Sequence, residues 1–248
     1  MKIACLMVGS TLSIALLVGG AQAQYGAPWL STIDQFNTGP ASVNFVWPTS
    51  FAVQQDQGGL NTLGGFRLYN GVALAPNTTF PSTPTGSLAI NTSAGTYSWS
   101  VTPAANQSTF TLMYRGRSLG TISGMMANLN FPGVHGVGLD IINLTAPVQV
   151  RIELATVGAT GGAGAFLTTT LTPPSDGQPF RFRTTWDQYT YQPGFTLNQV
   201  DQIAIMFVTT ANTANSITLD SIGIAPSPGA ASVLGLGLVA ATRRRRTA

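Results

Sequence analysis

Apolar and polar residues alternate with a period of two in short bursts along most of this chain. Val148, Val150, Ile152 and Leu154 fall on one side of their segment, and Gln149, Arg151 and Glu153 on the other. Phe180 and Phe182 alternate with Arg181 and Arg183; Tyr97, Trp99 and Val101, and then Phe110, Leu112 and Tyr114, repeat the pattern. Successive side chains of a strand point to opposite faces, so these bursts predict strands with one buried and one wet face. Turn formers separate them: Asn70-Gly71, Pro173-Pro174, Asp176-Gly177 and Pro193-Gly194. Further strands are predicted at 64–69, 87–91, 136–142, 202–208 and 216–224. The Gly-rich stretch 120–138 reads as a strand followed by a loop. With no amphipathic helix of useful length and no βαβ rhythm, the body is expected to be all-β. Two packed antiparallel sheets forming a sandwich is the expected architecture, a jelly roll first and an immunoglobulin-like sandwich as the alternative. Phe110, Leu112, Val150, Ile152, Phe182, Ile205 and Phe207 are its expected core.

The two ends read differently. Lys2, an apolar run from Ile3 to Val18, and the small-residue pattern Ala21-Gln22-Ala23 follow the order of a secretory signal peptide. Residues 1–23 are therefore expected to be a signal helix cut by signal peptidase. Cys5, the single cysteine of the chain, leaves with them. No disulfide is expected in the mature protein, and a body of this length can bury enough apolar surface without one. Residues 24–225 form one sandwich body, and residues 226–248 a separate tail.

Charge removes one class of function. The formal net charge is +3, yet all eight carboxylates and only six of the eleven basic residues lie between Gln24 and Ala225. The body is thus slightly acidic and lacks the basic surface that phosphate recognition needs, so no nucleic-acid partner is expected.

Catalytic chemistry finds little material. His135 is the single histidine, and without cysteine a zinc site lacks ligands. A polysaccharide-active enzyme, glycoside hydrolase or lyase, is the alternative reading; hydrolysis would need two facing carboxylates, with Asp140 and Glu153 the candidates. A Ca²⁺ site built on Asp34 and Asp220 is a candidate, because calcium takes hard oxygen ligands and first and last strands of a sandwich often lie together. Trp186, Tyr189 and Tyr191, in "TTWDQYTYQPG", are candidate carbohydrate-binding residues, since aromatic rings stack on sugar faces.

The tail carries the strongest signal. Pro226 and Pro228 end the last strand; Gly229 to Ala241 has no charge; Arg243, Arg244, Arg245 and Arg246 follow. As a short hydrophobic helix the uncharged run measures about 20 Å, against a hydrocarbon core of about 30 Å. The arginines resist translocation, which predicts an outside body and an inside tail. Two prolines, a short apolar helix and a terminal Arg cluster resemble the PEP-CTERM sorting signal of bacteria that make extracellular polysaccharide, with Ser227 where the usual motif has Glu. The resemblance implies an exosortase-like transpeptidase as partner, transient insertion in the inner membrane, and transfer of the body to the cell envelope or extracellular matrix. "IDQF", "LGGFR" and "VDQIAIMFV…SITLDSIGI" also resemble landmarks of the β-rich bodies that precede such tails. The expected role is structural or polysaccharide-contacting.

Overall fold

In a computed structural model the described residues are 29–46, 50–55, 62–72, 85–102, 108–118, 121–156, 163–211 and 213–226. The signal segment 1–23 and, apart from Pro226, the sorting residues Ser227, Pro228 and Arg243–Arg246 lie outside them. No helix among the described residues is long and apolar enough to cross a membrane.

The strands, in chain order, are β1 (Ser31–Asp34), β2 (Ala41–Val46), β3 (Ser50–Gln55), β4 (Gly65–Val72), β5 (Thr85–Asn91), β6 (Thr96–Val101), β7 (Thr109–Ser118), β8 (Thr121–Ser123), β9 (Val134–Leu144), β10 (Val148–Ala155), β11 (Gly164–Leu171), β12 (Phe180–Arg183), β13 (Thr190–Tyr191), β14 (Gln202–Thr209) and β15 (Asn215–Pro226). They form two antiparallel sheets. The first runs β12-β9-β15-β6-β5-β2, with β1 also on β15; the second runs β13-β11-β10-β14-β7-β4-β3, with β8 on β7. The chain passes from β2 in the first sheet to β3 and β4 in the second, back to β5 and β6, and continues to cross until β15. This winding is that of a jelly roll. The last two long strands, β14 and β15, each lie inside a sheet with neighbours on both sides.

Alternation places the core between the sheets. Val148, Val150 and Ile152 are fully buried and oppose the inward Phe207 and Ile205 of β14. Phe110 packs edge-on against Trp99 across the sandwich, centroids 4.3 Å apart. Six of the seven expected core residues are fully buried. Phe182 is a correction: it packs against the core but stays partly exposed, because β12 is the outermost strand of the first sheet.

Register defines two ends of the sandwich. At one end Pro226 pairs with Val134, and the Leu30 N–H donates to the Ile224 carbonyl, so the described chain begins and ends side by side. At the other end Asn215 pairs with Val101, and the Thr145 N–H donates to Ser216.

A buried ion pair joins the sheets. The Asp34 carboxylate accepts from Arg67 Nε and Nη2, both at 2.7 Å, and from Tyr114 Oη at 3.0 Å; neither Asp34 nor Arg67 is exposed. Asp34 also accepts from the Phe36 N–H at 2.8 Å, a tight local turn that holds Phe36 at φ 53°. The Phe36 ring repays that strain: it stacks on Tyr97 and lies under the Arg67 guanidinium.

Candidate functional site

The 3-10 turn Trp186–Gln188 decides where the aromatic trio goes. Thr185 caps it reciprocally with Gln188, whose Oε1 accepts the Thr185 N–H at 2.9 Å. The turn leaves Tyr189 pointing inward: it is buried among core residues, and its hydroxyl lies 3.0 Å from that of Thr184. Burial pushes the Tyr189 phenol well above its usual range. Two residues on, Tyr191 remains exposed, donating to the Trp186 carbonyl and lying 5.9 Å from the Phe195 ring. Trp186 is half-buried against Tyr189. The three rings therefore do not form one platform, because Tyr189 closes the side of the core.

The two aspartates of the calcium expectation point to different places. Asp34 faces inward, with its oxygens occupied by Arg67 and Tyr114. Asp220 lies by Asp140 and Arg181; burial and then the Asp140 charge raise its carboxyl above the usual range, with Arg181 opposing. The strands β1 and β15 do pair, as expected, but the carboxylates do not share a site. Among the described residues no group of three or more His, Cys, Asp or Glu is placed to hold a metal ion.

Asp140 and Glu153 lie on opposite outer faces. Asp140 stands between the core residues Leu139 and Ile141 of the first sheet, Glu153 between Ile152 and Leu154 of the second. Each is paired: Asp140 accepts from Arg181 and from Ser221 Oγ at 2.6 Å, and Glu153 from Arg151. They do not face one another across a cleft, which is the arrangement hydrolysis requires. Beside Asp140 sits a feature the sequence did not signal. Trp29 lies on the outer face over Gly138 and Gly223, donates to Ser221 Oγ at 2.9 Å, and has the Arg181 guanidinium 3.9 Å from its ring centroid. A Cβ on Gly223 would come 2.2 Å from Trp29 Cγ, so glycine is required there for contact, not for a turn.

The outer face of the first sheet carries the most developed surface. Asn44 of β2, Ser87 of β5, Ser100 of β6 and Ser216 of β15 are in register across four adjacent strands. The hydroxyls of Ser87 and Ser100 are 2.8 Å apart. A second row holds Ser42, Ala89, Ser98, Thr218 and Asn143, with Ser98 and Thr218 bonded at 3.3 Å. Polar groups thus repeat about every 4.8 Å across the strands and about 7 Å along them. At the Asn215 end the first row opens into a groove of about 550 Å³ whose lining includes Asn44, Ser87, Ser100, Thr102, Thr145 and Ser216 and no charged residue. Behind the groove, on the inner face of the sheet, the buried Phe45 ring occupies the place of a side chain at Gly86, where any Cβ would lie 2.1 Å from it. Hydroxyls and amides both donate and accept, which suits a ligand that also does both. The signal for this surface was in the sequence, in the small polar residues interleaved through "SWSV" and "SITL"; which strands would align them was not.

A smaller hollow of about 170 Å³ lies on the second sheet among Arg151, Glu153, Phe166 and Gln192. The Arg151 guanidinium covers the Phe166 ring at 4.6 Å.

No family model matches the sequence, and neither does any curated relative. Among solved structures the chain is similar to the family 11 carbohydrate-binding module of a cellulosomal cellulase of Clostridium thermocellum. The identity is 12% and the TM-score 0.40, covering 81% of this chain and 97% of that one. The Clostridium thermocellum family 11 module in complex with a β-1,3-1,4-mixed-linked tetrasaccharide gives 11% identity and TM-score 0.38, over 79% and 97%. TmCBM61 in complex with β-1,4-galactotriose gives 9% and 0.28, over 73% and 90%.

Proposed function

We propose that this is an exported cell-envelope or matrix protein whose sandwich is a non-catalytic, polysaccharide-contacting module. The observation that carries the binding role is the uncharged groove at the Asn215 end, with its in-register row Asn44, Ser87, Ser100 and Ser216. A neutral polysaccharide presents hydroxyls at every sugar, each a donor and an acceptor, and an open groove of this kind accepts a chain passing through rather than a buried end. Export rests on residues 1–23, and sorting on the Pro226–Pro228 pair, the apolar run and Arg243–Arg246.

Affinity electrophoresis against neutral and acidic glycans tests the module. Ser100→Arg, which fills the groove with a charged side chain, is expected to weaken binding to a neutral glycan at least about tenfold, while Tyr191→Ala leaves it unchanged. Loss of binding with Trp186→Ala or Tyr191→Ala but not Ser100→Arg would move the site to the aromatic end. Absence of binding to every glycan leaves a structural role.

A further inference from the structure

The exposed large apolar side chains of the described residues are all at one end of the sandwich. Among the described residues they are Leu30 at 41%, Met126 at 68%, Phe131 at 46% and Tyr191 at 43% relative exposure. Leu30 bonds to Ile224, next to the point where the chain leaves at Pro226. Phe131 opens the turn into Val134, which pairs with Pro226 itself. Met126 stands between Met125 and Ala127, whose N–H groups donate to Asp201 and Val200 at the start of β14. Tyr191 pairs with Ala165 at the start of β11, beside the end of β10 and the start of β14. Scattered exposed apolar residues are ordinary, but a concentration at one site marks an interaction surface. Met126 adds strain to exposure: it is held at φ 53°, which a residue with a long side chain adopts only when its surroundings enforce it.

The length of the tail names the occupant. From Pro226 to Gly229, where the uncharged run begins, there are three residue steps, at most about 11 Å of extended chain. The run itself, at about 20 Å as helix, is shorter than a hydrocarbon core of about 30 Å, with headgroup layers of about 5–8 Å on either side. A tail of this length leaves no slack: once it enters a bilayer, the Pro226 end of the sandwich is drawn against the headgroups. Apolar side chains then replace water by the headgroup–acyl boundary, which favours burial of Leu, Phe and Met.

We infer that the end carrying Leu30, Met126, Phe131 and Tyr191 is a membrane-apposed surface that rests on the bilayer holding the tail, which leaves the polar groove at the opposite end facing outward. The inference rests on the reading of the tail as a membrane segment. The test uses the mature chain, residues 24–248, which holds no cysteine of its own, reconstituted with phosphatidylcholine–phosphatidylglycerol vesicles. Single cysteines at Met126→Cys, Phe131→Cys and Asn130→Cys, and at Thr102→Cys and Ala214→Cys on the far end, carry an environment-sensitive fluorophore. Asn130→Cys keeps both apolar side chains intact. The expected result is a blue shift, and quenching by spin-labelled lipid at least about twofold stronger, at 126, 130 and 131 than at 102 and 214. Flotation with the vesicles but equal quenching at both ends overturns the membrane-apposed surface and leaves the tail reading standing. Failure to float overturns the tail reading and the surface together.

Discussion

Removing Arg67 while leaving Asp34 in place should damage this fold more than any exposed substitution. Both side chains are fully buried, and the guanidinium makes two 2.7 Å contacts to the carboxylate. In Arg67→Met the methionine fills much of the volume, so the dominant cost is the carboxylate left with Tyr114 and the Phe36 N–H as its remaining donors. Breaking a buried pair from one side costs about 3–5 kcal/mol. For a domain of this size that is a fall in Tm of roughly 6–20 °C. The pH dependence has a definite sign. Burial already pushes Asp34 up, and Arg67 is the main influence opposing it. Without Arg67 the folded-state carboxyl rises further above its unfolded value, so the variant's stability is fully present below the unfolded value and is lost as pH rises through the folded one. Arg67→Met should therefore be hurt less at pH 4 than at pH 7. Adding Asp34→Leu to Arg67→Met should recover most of the loss, since an apolar pair leaves no buried charge. Urea melts of the four proteins in the cycle, at both pH values, measure these differences. A cost below about 1 kcal/mol for the single substitution, the range of an exposed pair, refutes the reasoning.

Gly223→Ala should destabilise the sandwich by displacing Trp29, and Trp29→Ala in the same chain should relieve most of that clash; paired thermal melts measure both. Asp220→Asn should stabilise the protein at neutral pH, because ionising a carboxyl whose folded-state value is raised opposes folding. The gain should shrink as pH falls through the folded-state value and be gone below the unfolded one, read from melts across that range. Replacing Arg243–Arg246 with Ser should loosen membrane arrest and release unprocessed chain, whereas Pro226→Ala with Pro228→Ala should leave insertion intact and slow processing. Mass spectrometry of the C-terminus in envelope and culture fractions checks both, and a native product still ending in Arg-Arg-Arg-Arg-Thr-Ala replaces sorting with a simple anchor.

The strands were legible because their burial is one-sided: Val148 to Ala155 spells out its own faces, and the interior follows from it. The side-chain partners were not. Asp34 looked like a metal ligand in "IDQF" because nothing local announces Arg67, which arrives from the other sheet. Tyr189 and Tyr191, two residues apart, share a face in any regular strand. The 3-10 turn before β13 breaks that relation and sends Tyr189 into the core. Trp29 was equally hidden, since its seat is made by glycines at 138 and 223, and a missing side chain has no pattern to read. The polar rows became a surface only when strand order aligned β2, β5, β6 and β15, and strand order depends on closure across the whole chain.

The place of β15 has a mechanical consequence. This strand is bonded to β9 from Ile217 to Pro226, to β6 from Asn215 to Leu219, and to β1 near Ile222 and Ile224. A pull on the chain beyond Pro226, directed away from that end, runs along the strand axis. It strains those bonds together, in shear, where an edge strand pulled sideways would open one bond at a time. Force reaching the body through residues 227–248 is thus spread at once into the middle of the first sheet, and the body resists extraction most strongly along the line of its own tether.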